Sequence, residues 1–142
     1  MELDSIENIK EIMILGKNMI KNSYSPYSSF RVGAVAVSEN GEIFSGCNVE
    51  NASYSLVVCA EVSAICNMIS KGQKRLKAMF VFSSSEQFVT PCGACRQTVL
   101  EFSNADTPIF VVNNKGQIRK HLLSILIPHA FSASALPEES DL

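Results

Sequence analysis

The chain begins with apolar residues at alternating intervals of three and four. Ile6, Ile9, Met13, Gly16 and Ile20 fall on one stripe, the period of an α-helix that buries one face. Asp4 and Glu7, just ahead, have the spacing of a capping box. Segment 22–29, Asn-Ser-Tyr-Ser-Pro-Tyr-Ser-Ser, is a loop by composition. Residues 30–37 are apolar and β-branched enough for a buried strand. Asn40-Gly41 supplies the positive φ of a tight hairpin, and 43–49 is the returning strand. A second helix is predicted over 58–70, stopped by Lys71-Gly72. Residues 76–82 form a further buried strand. Thr90 and Pro91 have the character of an N-cap and first helical residue, opening a third helix that reaches 102. A short strand follows at 109–112, then a turn at 113–116, a weaker strand at 117–120 and a short helix at 121–127 before Pro128. Residues 137–142 read as a solvated tail.

The predicted order is α-β-β-α-β-α-β-β-α. The hairpin gives one antiparallel pair, and the strand–helix–strand segments give right-handed crossovers with parallel pairing. The economical architecture is α/β: a three-layer α/β/α sandwich around a mixed five-stranded sheet. The chain has 142 residues and a mass of 15.5 kDa. That length predicts one domain over 1–142, with a core at about 4–131 and a short polar C-terminal tail.

Charge narrows the partners. Lys+Arg is 12 against Asp+Glu 14, a net charge of −2. Proteins that track phosphate backbones usually carry a basic excess, so nucleic acid is not expected as the main partner. No apolar run approaches the ~20 residues of a membrane span. The acidic start Met1-Glu2-Leu3-Asp4 does not match a secretory signal, so the expected compartment is the cytoplasm. Five cysteines, an odd number in a reducing compartment, point away from a disulfide framework and toward metal binding or buried thiols.

The chemistry concentrates in Cys59-Ala60-Glu61 and Pro91-Cys92-Gly93-Ala94-Cys95. Cys92 and Cys95 lie three apart at a helix start, so both thiols face one way, and Val99 and Phe102 continue that stripe into the core. Helix N-termini favour thiolate, the form that binds zinc. On the tetrapeptide alone a redox pair, two buried small hydrophobes and a metal half-site all stay open. Adding Cys59 gives three thiolates, which would leave one position of a tetrahedral zinc free, the layout of a catalytic site. Glu61 stands close by without ligating. The two segments match the three-cysteine form of the zinc deaminase pattern at every specified position.

The sequence resembles the small, homotetrameric cytidine deaminases of pyrimidine salvage. The likeness runs from about Tyr24 to Phe131. It includes Phe30-Arg31-Val32-Gly33-Ala34, Gly46-Cys47-Asn48-Val49-Glu50-Asn51-Ala52-Ser53-Tyr54 and Pro91-Cys92-Gly93-Ala94-Cys95-Arg96-Gln97, in family order. The resemblance implies a cytidine deaminase-like fold and one zinc per subunit on Cys59, Cys92 and Cys95, with water or hydroxide as fourth ligand. It implies hydrolytic attack at C4 of cytidine and 2′-deoxycytidine, with Glu61 shuttling the proton and ammonia leaving. Asn48 and Glu50 match the residues that hold the ribose hydroxyls, and two-residue spacing at a strand end would turn both the same way. Phe30 matches a phenylalanine packed near the base. Ala52, Tyr54 and Phe131 match positions that build a neighbouring subunit's pocket, so active sites would be shared across a homotetramer.

The chain departs from the resemblance at Val62, where many relatives carry an arginine that donates to the thiolates. An uncompensated unit charge at ~4 Å is worth on the order of 4 kcal/mol at an effective dielectric of ~20. Two helix N-termini offset part of it, and Arg96 is the expected substitute for the rest. Ser53, Ser55 and Ser132 also replace other residue types. Cys47 and Cys66 are expected as buried thiols, and His121 and His129 as a helix-start and a loop histidine. Two alternatives remain. One is a deaminase of another small cytosine nucleoside, such as blasticidin S. The other is a non-catalytic zinc module, which needs a fourth ligand, Cys66 being the candidate.

Overall fold

Alternation along the strands divides the molecule into two cores. The computed structural model describes residues 5–137, so the predicted capping residue Asp4 and most of the predicted tail lie outside the described residues. The strands are β1 (Val32–Ser38), β2 (Ile43–Cys47), β3 (Leu76–Ser83), β4 (Pro108–Val112) and β5 (Ile118–Leu122). They form one sheet in the order β2-β1-β3-β4-β5. Ala34 and Ala36 of β1, Met79 and Val81 of β3, and Ile109 and Val111 of β4 face one core. Their neighbours Val35, Val37, Phe80, Phe82, Phe110 and Val112 face the other, as a two-residue side-chain period requires.

Helices cover both faces. Helix α1 (Ile9–Asn22) closes the second core with Ile12, Ile9, Met13 and Ile20. Helices α2 (Ala60–Ser70) and α3 (Gly93–Glu101) and the single turn α4 (Leu123–Leu126) close the first with Ala64, Ile65, Met68, Val99 and Leu123. The three-layer sandwich and the mixed five-stranded sheet are therefore present. Only β3 and β4 pair in parallel, and the other three pairings are antiparallel. The crossover from β2 through α2 reaches β3 with β1 lying between them, so those strands run the same way without touching.

Several boundaries differ from the pattern reading. Cys92, not Thr90, is the N-cap of α3, and Pro91 lies outside the helix. Strand β5 continues through His121 and Leu122 where a helix was predicted, because the antiparallel register with β4 holds as far as Pro108 and Leu122. Asn8 (φ 63°) is the N-cap of α1 and makes no side-chain capping bond. Gly41 (φ 88°) supplies the positive φ of the β1–β2 turn, as Asn40-Gly41 predicted.

Two contacts fix the parts that matter for chemistry. A Cβ on Gly46 would lie 2.3 Å from the Ala64 amide nitrogen, so β2 and α2 meet backbone to backbone. Past β2 the chain runs out to an exposed loop and returns. Its two feet are joined at Val49 and Val58, whose N–H groups each donate to the other's carbonyl at 2.9 Å. Cys59 follows at once. Among the described residues no helix is long and apolar enough to cross a membrane.

Candidate active site

Two helix starts converge over the sheet. Cys59 is the N-cap of α2 and Cys92 the N-cap of α3, and neither side chain caps its own helix. Their sulfurs stay free to face each other at 3.9 Å. Cys95, one turn into α3, is fully buried. The Sγ atoms of Cys59, Cys92 and Cys95 all lie within 4.8 Å of one another.

That crowding shapes their ionisation. Hydrogen bonding from Cys95, more than any other influence, lowers the Cys59 thiol to about 6, against desolvation and the nearby Glu61 charge. Cys95 shifts the other way: its bond to Cys59 raises it first, then burial and the charges of Glu61 and Cys59. The helix-start argument predicted uniform lowering. The neighbours decide instead, since one thiolate is stabilised by adjacent S–H donors and further ones repel it. Three sulfurs at this spacing ionise together only around a cation, and soft thiolates at tetrahedral spacing suit Zn²⁺. The donor set therefore fits one zinc per chain.

Glu61, in the first turn of α2, is only 4% exposed. Burial raises its carboxyl above the usual range, while its own backbone amide and the Cys95 thiol pull the other way. Cys59, Glu61 and Cys92 line a cavity of about 230 Å³ together with Phe30, Asn48 and Thr90. A small heterocycle fits such a volume, and its mostly apolar wall strengthens charge interactions inside.

Asn48 and Glu50 do not sit on a strand, because β2 ends at Cys47. Asn48 is buried and opens into the cavity. Glu50 lines an adjoining hollow with Tyr27, Ser28 and Tyr54, and Val57 forms the wall common to both. The Glu50 carboxylate accepts from the Tyr27 amide at 2.9 Å, the Ser28 amide at 3.1 Å and the Ser28 hydroxyl. The Ser28 hydroxyl does most to hold it below the usual carboxylate range. Ala52, Tyr54 and Phe131 lie on the outside, with Tyr54 75% and Phe131 62% exposed. The Gln97 amide donates to the Phe131 carbonyl at 2.9 Å and ties that segment to α3.

Arg96 does not replace the missing arginine. Its Nε donates to the Pro91 carbonyl at 2.7 Å, its Nη1 to the Leu126 carbonyl and its Nη2 to the Thr90 hydroxyl at 2.9 Å. These bonds satisfy the turn before α3, where the chain approaches the end of α4, so the guanidinium braces Cys92 from behind. Cys66 is exposed, contrary to the buried expectation, and lies outside the thiol cluster. Among the described residues no fourth metal-ligating side chain joins the three sulfurs, whereas a purely structural zinc module requires one. Cys47 is half-buried, its thiol 3.7 Å from the Asn22 carbonyl. His121 lies in β5 with Nε2 buried and unpartnered, and His129 is in a loop at φ 52°.

Comparison with known proteins agrees with this geometry. The family model described as the cytidine and deoxycytidylate deaminase zinc-binding region matches residues 6–111. The chain is 40% identical over 129 residues to a cytidine deaminase of Sporosarcina psychrophila, covering 91% of this chain and 95% of that one. It is 39% identical over 117 residues to a cytidine deaminase of Mycobacterium tuberculosis, covering 82% and 84%. Among solved structures, the cytidine deaminase of Burkholderia pseudomallei superposes with a TM-score of 0.81 at 35% identity, over 87% of this chain and 98% of that one. That of Mycobacterium tuberculosis gives 0.76 at 34% identity, over 88% and 98%. Sequence and shape thus point the same way, and the chain belongs to the cytidine and deoxycytidylate deaminase zinc-binding family.

Proposed function

We propose that this chain hydrolyses cytidine and 2′-deoxycytidine to uridine and 2′-deoxyuridine with release of ammonia. The observation that carries the reading is the arrangement of Cys59, Cys92 and Cys95 within 4.8 Å of one another, beside a buried Glu61 in one small cavity. Zinc on these thiolates supplies Lewis acidity that makes a water nucleophilic at neutral pH. Glu61 accepts the proton of the attacking water and passes it to N3 of the base. As the C4–N4 bond breaks, the same carboxyl takes the proton of the new C4 hydroxyl, which becomes the carbonyl, and delivers it to the departing amino group. Water and cytidine are consumed, uridine and ammonia formed, and Glu61 ends as it began. Phe30 packs beside the base, and Asn48 and Glu50 take the sugar hydroxyls.

Residues 1–142 act as one catalytic unit in this reading. Ala52, Tyr54 and Phe131 complete the pocket of a neighbouring copy in a homotetramer. Support comes from the exposed apolar side chains of Tyr54, Leu56 and Phe131. The five free thiols suit the cytoplasm. The blasticidin S alternative is separable by substrate.

An ultraviolet assay of cytidine on the purified protein, with zinc measured on the same sample, tests the reaction. Glu61→Gln should keep one zinc per chain and lose about 10²- to 10⁴-fold in kcat. A variant that keeps both zinc and rate would remove Glu61 from the mechanism, and a zinc-loaded wild type inert toward cytidine would remove the reaction.

A further inference from the structure

The sugar-facing amide of Asn48 is itself held by the protein. Asn48 Oδ1 accepts from the Val32 N–H at 2.9 Å and from the Ser23 hydroxyl at 2.5 Å. Its Nδ2 donates to the Phe30 carbonyl at 2.9 Å. A backbone N–H and a backbone carbonyl have fixed polarity, so they set which end of the amide is oxygen. Both lone pairs of that oxygen are then occupied. One N–H of Nδ2 is left for a ligand, and Asn48 lines the cavity. It can therefore meet a bound molecule only as a donor.

Ser23 is placed for this task by more than its own bond. It follows the last turn of α1, and its hydroxyl is part of a residue only 8% exposed. The next residue, Tyr24, bridges to Val49; its amide donates to the Asn48 carbonyl and its carbonyl accepts from the Glu50 amide. The segment carrying Ser23 is thus laced to the segment carrying Asn48 on both sides of the contact. The Ser25 hydroxyl stands 3.3 Å from that of Ser23 and completes the chain of hydroxyls.

We infer that Ser23 is a positioning residue for sugar recognition: its hydroxyl locks the Asn48 amide so that one N–H faces a substrate hydroxyl oxygen. This rests on the reading that Asn48 contacts the sugar. Donors on Oδ1 also polarise the amide, which makes the remaining N–H a better donor. The contact selects nucleosides that bear an accepting hydroxyl and does nothing for sugars that lack one. Ser23 touches neither zinc ligand nor base, and its effect travels through Asn48 alone.

The test compares cytidine with 2′,3′-dideoxycytidine, using kcat/KM on the zinc-loaded enzyme. Wild type should prefer cytidine. Ser23→Ala should shrink that preference about two- to tenfold, chiefly through a raised KM for cytidine, with zinc content unchanged. Ser23→Thr, which keeps the hydroxyl, should restore it. An unchanged preference in Ser23→Ala overturns the positioning role while the sugar reading of Asn48 stands, even if both rates fall together or zinc is lost. A wild type that does not distinguish the two nucleosides overturns the sugar reading, and the role of Ser23 with it.

Discussion

The metal end of the cavity and its outer rim are built by different means. Cys95 and Glu61 are buried, carried on helices whose positions are set by core residues such as Ala64 and Val99. The rim at 49–58 is exposed at nearly every residue and is ordered by hydrogen bonds of a few side chains. Bond making needs groups held to fractions of an ångström in a dry site. Sugar recognition tolerates water and depends on a few oriented donors and acceptors. The rim carries exposed apolar side chains, whereas the three sulfurs of the metal end all come from one chain.

That contrast breaks first at the metal end. Cys95→Ser should lower zinc affinity more than about a hundredfold, judged against the 10- to 100-fold cost of losing even an outer-shell partner. Turnover should vanish with the metal, read by elemental analysis and by the ultraviolet assay. Retention of full zinc would mean that three sulfurs are not the binding set. Next comes the support behind it. Gly46→Ala drives a methyl against the Ala64 amide, 2.3 Å away, and should cost about 1–3 kcal/mol or more in denaturant unfolding. Because α2 carries Cys59 and Glu61 at its start, activity should fall with it. A stable, fully active Gly46→Ala chain would show that the two backbones can part without consequence.

The smallest change sharpens the rim. Leu56→Lys puts a charge on an exposed apolar position. It should leave the fold and the zinc content of each chain intact while costing about 2 kcal/mol or more of association, the scale of an interface hot spot. Sedimentation should show smaller species with lower activity per zinc. Dissociated chains with undiminished activity would show that a single chain holds a whole site.

Pattern alone reached the sheet, because 78–82 in β3 and 109–112 in β4 are unbroken apolar runs and Asn40-Gly41 can be little else than a turn. It reached the metal set because three thiols and a glutamate in that spacing serve few chemistries. It missed what depends on distant backbone. The Arg96 donors go to the carbonyls of Pro91 and Leu126, and no side-chain pattern marks a carbonyl thirty residues away. It misplaced Asn48 and Glu50 at a strand end, because strand alternation was extended beyond Cys47, where β2 ends. Ser23 is one serine in a serine-rich loop, and its burial and its bond to Asn48, neither marked in the sequence, separate it from Ser25 and Ser29.

The paired amides of Val49 and Val58 have one more consequence. They clamp the feet of the loop between them, so the tip can lengthen, shorten or change residue by residue while Cys59 stays put. Changes at the tip then leave the backbone that enters α2 where it is. The clamp sets an exposed loop apart from the helix start that carries Cys59 and Glu61.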